Sequence, residues 1–344
     1  MRFSLSLPLL RDQTASDPYR PTFALARIAE EAGFDTATIG HHHFMPGNMA
    51  APLTFLAAVA ARTERLRVGT GIFQLPVHHP VRVAEQVATI DQLSGGRISL
   101  GVGLGWWPVE YEVFGSRFDE RGARMEEALR ILTLVWGQEN VSFTGRFWSF
   151  PELTVHPRPV QRPHPPLWVA GVADAAVERA ARLGDAWLCG PVQSLAKAQA
   201  CLARYRSSGG KEWVLRRYAW LGRSRREVEE EVLPAYVHGL LEHWRESVED
   251  DAEKELFARI DAGEDVPASE VAADRLLWGG PEDVIAQIQR YRAETGSDHV
   301  HAAFGAGLPG SHGQASLGDF ETIAGMVRLF GDEVIPAFVS THAR

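Results

Sequence analysis

Short apolar runs and amphipathic segments alternate along almost the whole chain. Residues 2–8, 35–40, 66–73, 98–102, 167–170, 186–189, 214–221 and 299–304 read as strands. The clearest, 66–73 (LRVGTGIF) and 98–102, are apolar with few charges, as expected for strands buried on both faces. Residues 18–32, 52–61, 80–93, 121–136, 173–183, 195–205, 225–245, 282–295 and 320–339 read as helices. Pro80 suits a first helical turn, and Val81, Ala84, Val87, Ala88 and Leu93 follow at helical spacing before Ser94-Gly95-Gly96 stops the run. Met125, Leu129, Leu132 and Val135 or Trp136 share one face of the 121–136 helix. Residues 143–150 (FTGRFWSF) place a Thr-Gly turn between aromatic runs and predict a small hairpin.

Eight strands, each followed by a helix, predict an α/β fold, a (β/α)8 TIM barrel with insertions, over a doubly wound sheet. No Gly-x-Gly-x-x-Gly pattern follows the first strand. Residues 1–344 are read as a single barrel domain. Within it, 108–165 is an insertion with a helix and the hairpin, and 246–278 is an acidic insertion. Two readings of that second insertion stay open, an active-site lid and a solvated helix.

Composition narrows the function. The net charge of −9 leaves no basic excess to neutralise phosphates, so no nucleic-acid partner is expected. No apolar run reaches the length of a membrane span, and the N-terminus lacks signal-peptide architecture, so the expectation is a soluble cytoplasmic protein. Two cysteines, Cys189 and Cys201, are too few for a disulfide framework. With 45% hydrophobic residues, 10 Trp and 16 Phe, the chain can fill a large core.

In a barrel the residues just past each strand line the mouth, which directs attention to 41–44, 71–76, 104–107 and 171–174. His41-His42-His43 is the only dense run of titratable rings. Histidine works as acid, base or hydrogen-bond donor near neutral pH. A metal is not expected there. Consecutive residues of an extended chain point to opposite sides, so three cannot ligate one ion without partners elsewhere, such as His78 and His79. No nucleophile elbow, phosphate loop or pair of strand-end carboxylates occurs. What remains is histidines, glycines, apolar residues and Trp106-Trp107, a set suited to a flat cofactor that carries the reaction. Phe44, Met45, Phe73, Leu75, Trp106 and Trp107 suggest an apolar or aromatic substrate wall.

Several stretches, in order and spacing, resemble the bacterial luciferase-like flavin-dependent monooxygenase family. They are GFDTATIGHHHF (33–44), TERLRVGTGIFQLPVHHPVRVAEQVATIDQLSGGRISLGVGLGWW (63–107), EYEVFG (110–115), PLWVAG (166–171) and GGPEDVIAQIQRY (279–291). The resemblance implies a dimeric barrel enzyme. It implies reduced FMN supplied by a separate NAD(P)H:flavin reductase, and a flavin C4a-hydroperoxide that uses molecular oxygen to oxygenate a small organic substrate. A sister branch of the same fold uses a deazaflavin, coenzyme F-420, for hydride transfer, and other members bind flavin without catalysis. Position by position, His42 matches the family's active-site histidine, and His41 stands where relatives carry a carboxylate. Gly71-Ile72 matches the non-proline cis peptide behind the flavin ring, with Thr70 placed to hydrogen-bond the ring edge. Trp106 and Trp107 fall where the family contacts flavin and substrate, and Phe44, Phe73 and Leu75 stay the substrate wall read from their apolar side chains. At the phosphate end, Leu104 replaces a basic ligand. Gly171 and Val172 offer backbone N–H groups beside Asp174, and Arg223 or Arg225 are alternative phosphate partners.

Overall fold

A computed structural model describes residues 1–10, 16–191, 193–244, 251–305 and 319–339. Eight parallel strands close into a barrel: β1 (Arg2–Ser6), β2 (Thr36–Ile39), β3 (Arg67–Thr70), β4 (Ile98–Gly103), β5 (Leu167–Ala170), β6 (Ala186–Leu188), β7 (Glu212–Leu221) and β8 (His299–Phe304). They pair in chain order, and β8 closes the ring on β1. Two short strands join the sheet, Phe73–Gln74 beside β4 and Leu276–Gly279 beside the upper half of β7.

The alternation of side chains along each strand sorts residues to two faces. Leu5, Ala37, Val68, Leu100, Val169, Trp187, Leu215 and Val300 join the main core under the helices. Each Leu or Val among them contributes ~1.5–3 kcal/mol by burial. The barrel interior is more polar. Ser4 Oγ lies 2.5 Å from His299 Nε2, and Thr38 Oγ1 lies 2.7 Å from His301 Nε2. Ile72 and Ala170 pack on a small interior cluster of Trp168, Ala186, Leu188 and Val214.

Three helices that follow mouth loops start on proline: Pro52–Ala60, Pro80–Leu93 and Pro108–Val113. Proline loses nothing there, because the first N–H groups of a helix have no internal partner. These starts fix the length of each loop above β2, β3 and β4.

Four sequence readings change. The predicted strand 66–73 stops at Thr70 and resumes at Phe73, with the Gly71-Ile72 peptide bond cis between them. The predicted helix 225–245 is two helices, Arg225–Glu231 and Leu233–Trp244, because Pro234 cannot donate to the carbonyl four residues back; Arg245 lies outside the described residues. The 246–278 insertion holds two helices, Asp251–Asp261 and Ala268–Ala272, separated by Gly263 at φ +80° and Pro267. Residues 246–250 lie outside the described residues, and Leu276–Gly279 is a sheet strand, not part of a lid. These helices pack over β7 through a second apolar cluster that includes Tyr236, Phe257, Leu276 and Trp278. The hairpin forms as expected, with Phe143 opposite Phe150.

Candidate active site

The ends of β2, β3 and β4 meet at one rim, and glycine sets how closely they approach. A Cβ on Gly71 would stand 2.7 Å from Thr38 Oγ1, one on Gly101 2.0 Å from the Thr70 carbonyl oxygen, and one on Gly103 2.9 Å from the Ile72 side chain. Only glycine fits at these contacts, so the strand ends pack closely at the rim.

His42 stands at this rim and is partly exposed. Its Nδ1 lies 3.4 Å from Glu110 Oε1 and 3.1 Å from Gln74 Nε2. Its ring meets Trp106 edge-on at 6.0 Å. Glu110 is fully buried and accepts from the His43 N–H at 2.7 Å and from Gln74 Nε2 at 2.8 Å. Burial opposes the charge on Glu110, but the hydrogen bonds from His42, His43 and Gln74 outweigh it and hold the carboxyl below its ordinary range. The arrangement is an ionised carboxylate that orients an imidazole through one nitrogen and leaves the other for chemistry.

The neighbours of His42 turn the other way. His41 is 1% exposed, stacks on Phe73 at 4.8 Å, and its Nε2 lies 2.8 Å from His43 Nε2. Gln74 N–H donates to His41 Nδ1 at 3.2 Å. Burial first, then the rings of His43, His78 and His42, push His41 down to about 2. Burial likewise lowers His78 to about 4, and lowers His43 against the opposing pull of Glu110. His41, expected to touch cofactor, therefore sits behind His42. His41 and His43 share one side of the chain and His78 joins them, with one nitrogen of each within 4.8 Å of the others.

Other expected residues divide. Gly71, Ile72 and Trp106 lie at the rim, with Trp106 50% exposed. Phe44, at φ +59°, is 52% exposed and stacks on Phe114 at 5.8 Å. Trp107 is partly buried and caps the helix Pro108–Val113. The Thr70 hydroxyl is buried and donates to the Gly101 carbonyl at 2.7 Å, so its proton does not face a ring edge. Leu75 is buried in the main core and Phe73 lies between His41 and His78; neither forms an open substrate wall, because the chain turns inward after Ile72.

At the β5 end, Gly171 and Val172 are partly buried and lead into the helix Asp174–Leu183. Asp174 turns away to Arg204 at 2.8 Å. Arg225 lies 4.2 Å over the Trp278 ring and 3.7 Å from Asp283. Arg223 gives its backbone N–H to Glu227.

Four residues escaped the sequence reading: Glu110, Gln74, Arg216 and His301. Arg216 and His301 are register partners in the barrel interior, and Arg216 Nε, His301 Nδ1 and Gln74 Oε1 are buried without a hydrogen-bond partner. A polar residue inside an apolar strand marks Gln74, Arg216 and His301; Glu110, on the helix Pro108–Val113, carries no such signal.

The sequence profile of the luciferase-like monooxygenase family matches residues 1–299. The FMNH(2)-dependent dimethylsulfone monooxygenase of Pseudomonas putida is 40% identical over 168 residues, 47% of this chain and 46% of that protein. The oxygenase component of the flavin-dependent trigonelline monooxygenase of Acinetobacter baylyi is 34% identical over 176 residues, 49% of each. The chain thus spans about half the length of these curated relatives. The crystal structure of the monooxygenase RslO1 from Streptomyces bottropensis superposes with a TM-score of 0.78 at 26% identity, covering 98% of this chain and all of that one. With most of its length matched, this chain belongs to the luciferase-like monooxygenase family.

Proposed function

We propose that the chain is the oxygenase of a two-component system. It takes reduced FMN from a separate NAD(P)H:flavin reductase, and one atom of molecular oxygen enters a small organic substrate while the other leaves as water. One observation carries this reading: His42, partly exposed and oriented by buried Glu110 and Gln74, shares the rim at the strand ends with the Gly71-Ile72 stretch.

The residues present fit a flavin. The close contacts at Gly71 and Gly103 fix the Gly71-Ile72 stretch at the rim, where a flat ring would rest against the partly exposed Ile72. Gln74 Oε1 and Arg216 Nε offer an acceptor and a donor that lack protein partners. The first turn of the helix Asp174–Leu183, with Gly171 and Val172 before it, offers N–H groups to a phosphate. When bound, reduced flavin supplies the two electrons that oxygen activation needs. His42 holds or delivers a proton at its free ring nitrogen, Glu110 fixes the ring, and Trp106 shields its edge from water.

The test is turnover with FMN, NAD(P)H, a flavin reductase and oxygen across a panel of sulfur, heteroaromatic and ketone substrates. Oxygenated product that disappears in His42→Ala supports the proposal. Tight binding of the deazaflavin F-420 with no response to FMN would replace it with hydride transfer. FMN binding without His42-dependent turnover would leave a flavin-binding protein.

A further inference from the structure

We infer that His41, His43 and His78 form a binding site for one divalent transition-metal ion of the zinc class, behind the flavin surface and separate from it. One nitrogen of each ring lies within 4.8 Å of one nitrogen of the other two. His41 and His43 stand two apart on an extended stretch and so share a side, and their Nε2 atoms are 2.8 Å apart. His42 between them takes the opposite side, towards Glu110 and Trp106.

Two further observations point to a ligand. His78 Nε2 is buried and has no hydrogen-bond partner. The rings are also packed against aromatic neighbours. Phe73 stacks on His41 at 4.8 Å and on His78 at 4.5 Å, and Phe114 meets His43 edge-on at 4.5 Å. Glu110 holds the His43 backbone N–H at 2.7 Å and places a carboxylate next to the cluster. Ligand rings held by packing are one mark of a built metal site.

The chemistry selects the ion. Three imidazoles suit zinc, copper, nickel or cobalt in preference to magnesium or calcium, which take oxygen ligands. Zinc–nitrogen bonds of about 2.0–2.1 Å in a tetrahedron put nitrogens roughly 3.3 Å apart. His41 and His43 need open by only about half an ångström to meet that spacing, with His78 moving in. The ion replaces the proton shared by His41 and His43. Where it takes His41 Nε2, the ring proton moves to Nδ1, so the 3.2 Å hydrogen bond from Gln74 N–H is lost and that contact must open. The fourth position is left for water. A bound ion would pin residues 41–43 and hence the placement of His42.

The experiment uses untagged full-length protein stripped with a chelator and contains no flavin, so it reads this site independently of the proposed activity. Cobalt(II) is titrated and its visible absorption followed, then zinc(II) is added in competition. The expected result is one equivalent bound at micromolar or tighter concentration, with an intense tetrahedral cobalt spectrum displaced by zinc. Loss of a ligand in His78→Gln or His43→Gln should weaken binding by more than ~100-fold, since outer partners alone are worth about 10–100-fold. His79→Ala, at an exposed neighbour, should bind as the parent does. Circular dichroism confirms that each variant is folded. Binding only at millimolar metal, or equal binding by folded His78→Gln and His43→Gln proteins, would overturn the inference and leave a hydrogen-bonded histidine pair.

Discussion

The ends of β2–β4 and the end of β5 share one barrel mouth but are built on different principles. At the first, side chains hold one another: Glu110 gathers His42, His43 and Gln74, and glycines bring backbone close beneath them. At the second, the offer is backbone, and the charged side chain at the helix start faces Arg204 instead of the mouth. The contrast teaches that one end of the mouth is organised by side chains and the other by backbone; under the proposed function the first would hold a ring closely and the second a phosphate loosely.

The contrast can be broken most forcefully at His42. His42→Ala should lower kcat/KM for oxygenation by about 10²–10⁴-fold, the usual weight of a positioned acid or base, while flavin still binds. Steady-state product formation checks this, and unchanged turnover would move the chemistry away from β2–β4. Glu110→Gln comes next. It sets an amide against donors that now meet a carboxylate, and should cost ~1–3 kcal/mol in urea unfolding and slow turnover. No loss of stability would mean that the network does not organise the rim.

The interior floor under both ends gives a pH test. Burial, then the charge of Arg2, lowers His299 to about 3; burial, then Arg216 and His299, lowers His301 well below its ordinary value. The unfolded chain takes up these protons near pH 6.5 and the folded chain does not. Stability from His299 is therefore fully present above about pH 6.5 and is lost as pH falls towards about 3, and His301 acts in the same direction. His299→Gln should flatten the fall of urea midpoints across that window; an unchanged slope would show that His299 does not drive it. The smallest effect belongs to the β5 end. Asp174→Asn removes a carboxylate from the helix start and should tighten FMN about 2–5-fold at low salt, the ~0.3–1 kcal/mol of an exposed helix-end charge. Fluorescence titration reads it, and a change well above tenfold would make β5 a principal determinant of binding.

Much of the barrel was legible because parallel strands buried on two faces leave long apolar runs, as in residues 66–73 and 98–102. The break at Gly71-Ile72 was not written in hydrophobicity; the family resemblance supplied it. Pro234 and Pro267 cut the 225–273 region into helices that charge alone blurred together. In the site, His42 was readable from its run, but its support was not. Glu110 lies 67 residues from His43 and Gln74 lies 36 from Glu110, so only folding reveals that they meet. Phe73 and Leu75 misled because apolar residues after a strand suit a substrate wall and a core equally well. His41 and His43 share a face by simple alternation, yet their meeting with His78 depends on the path of the chain after Ile72.

The central claim is that the ends of β2–β4 seat a flavin ring, and a crystal structure with FMN bound tests it most directly. The expected result places the ring against Gly71-Ile72 with the His42 imidazole at its edge and the phosphate near Gly171 and Val172. A ring bound elsewhere, or crystals that take up F-420 in that seat and exclude FMN, would contradict the account.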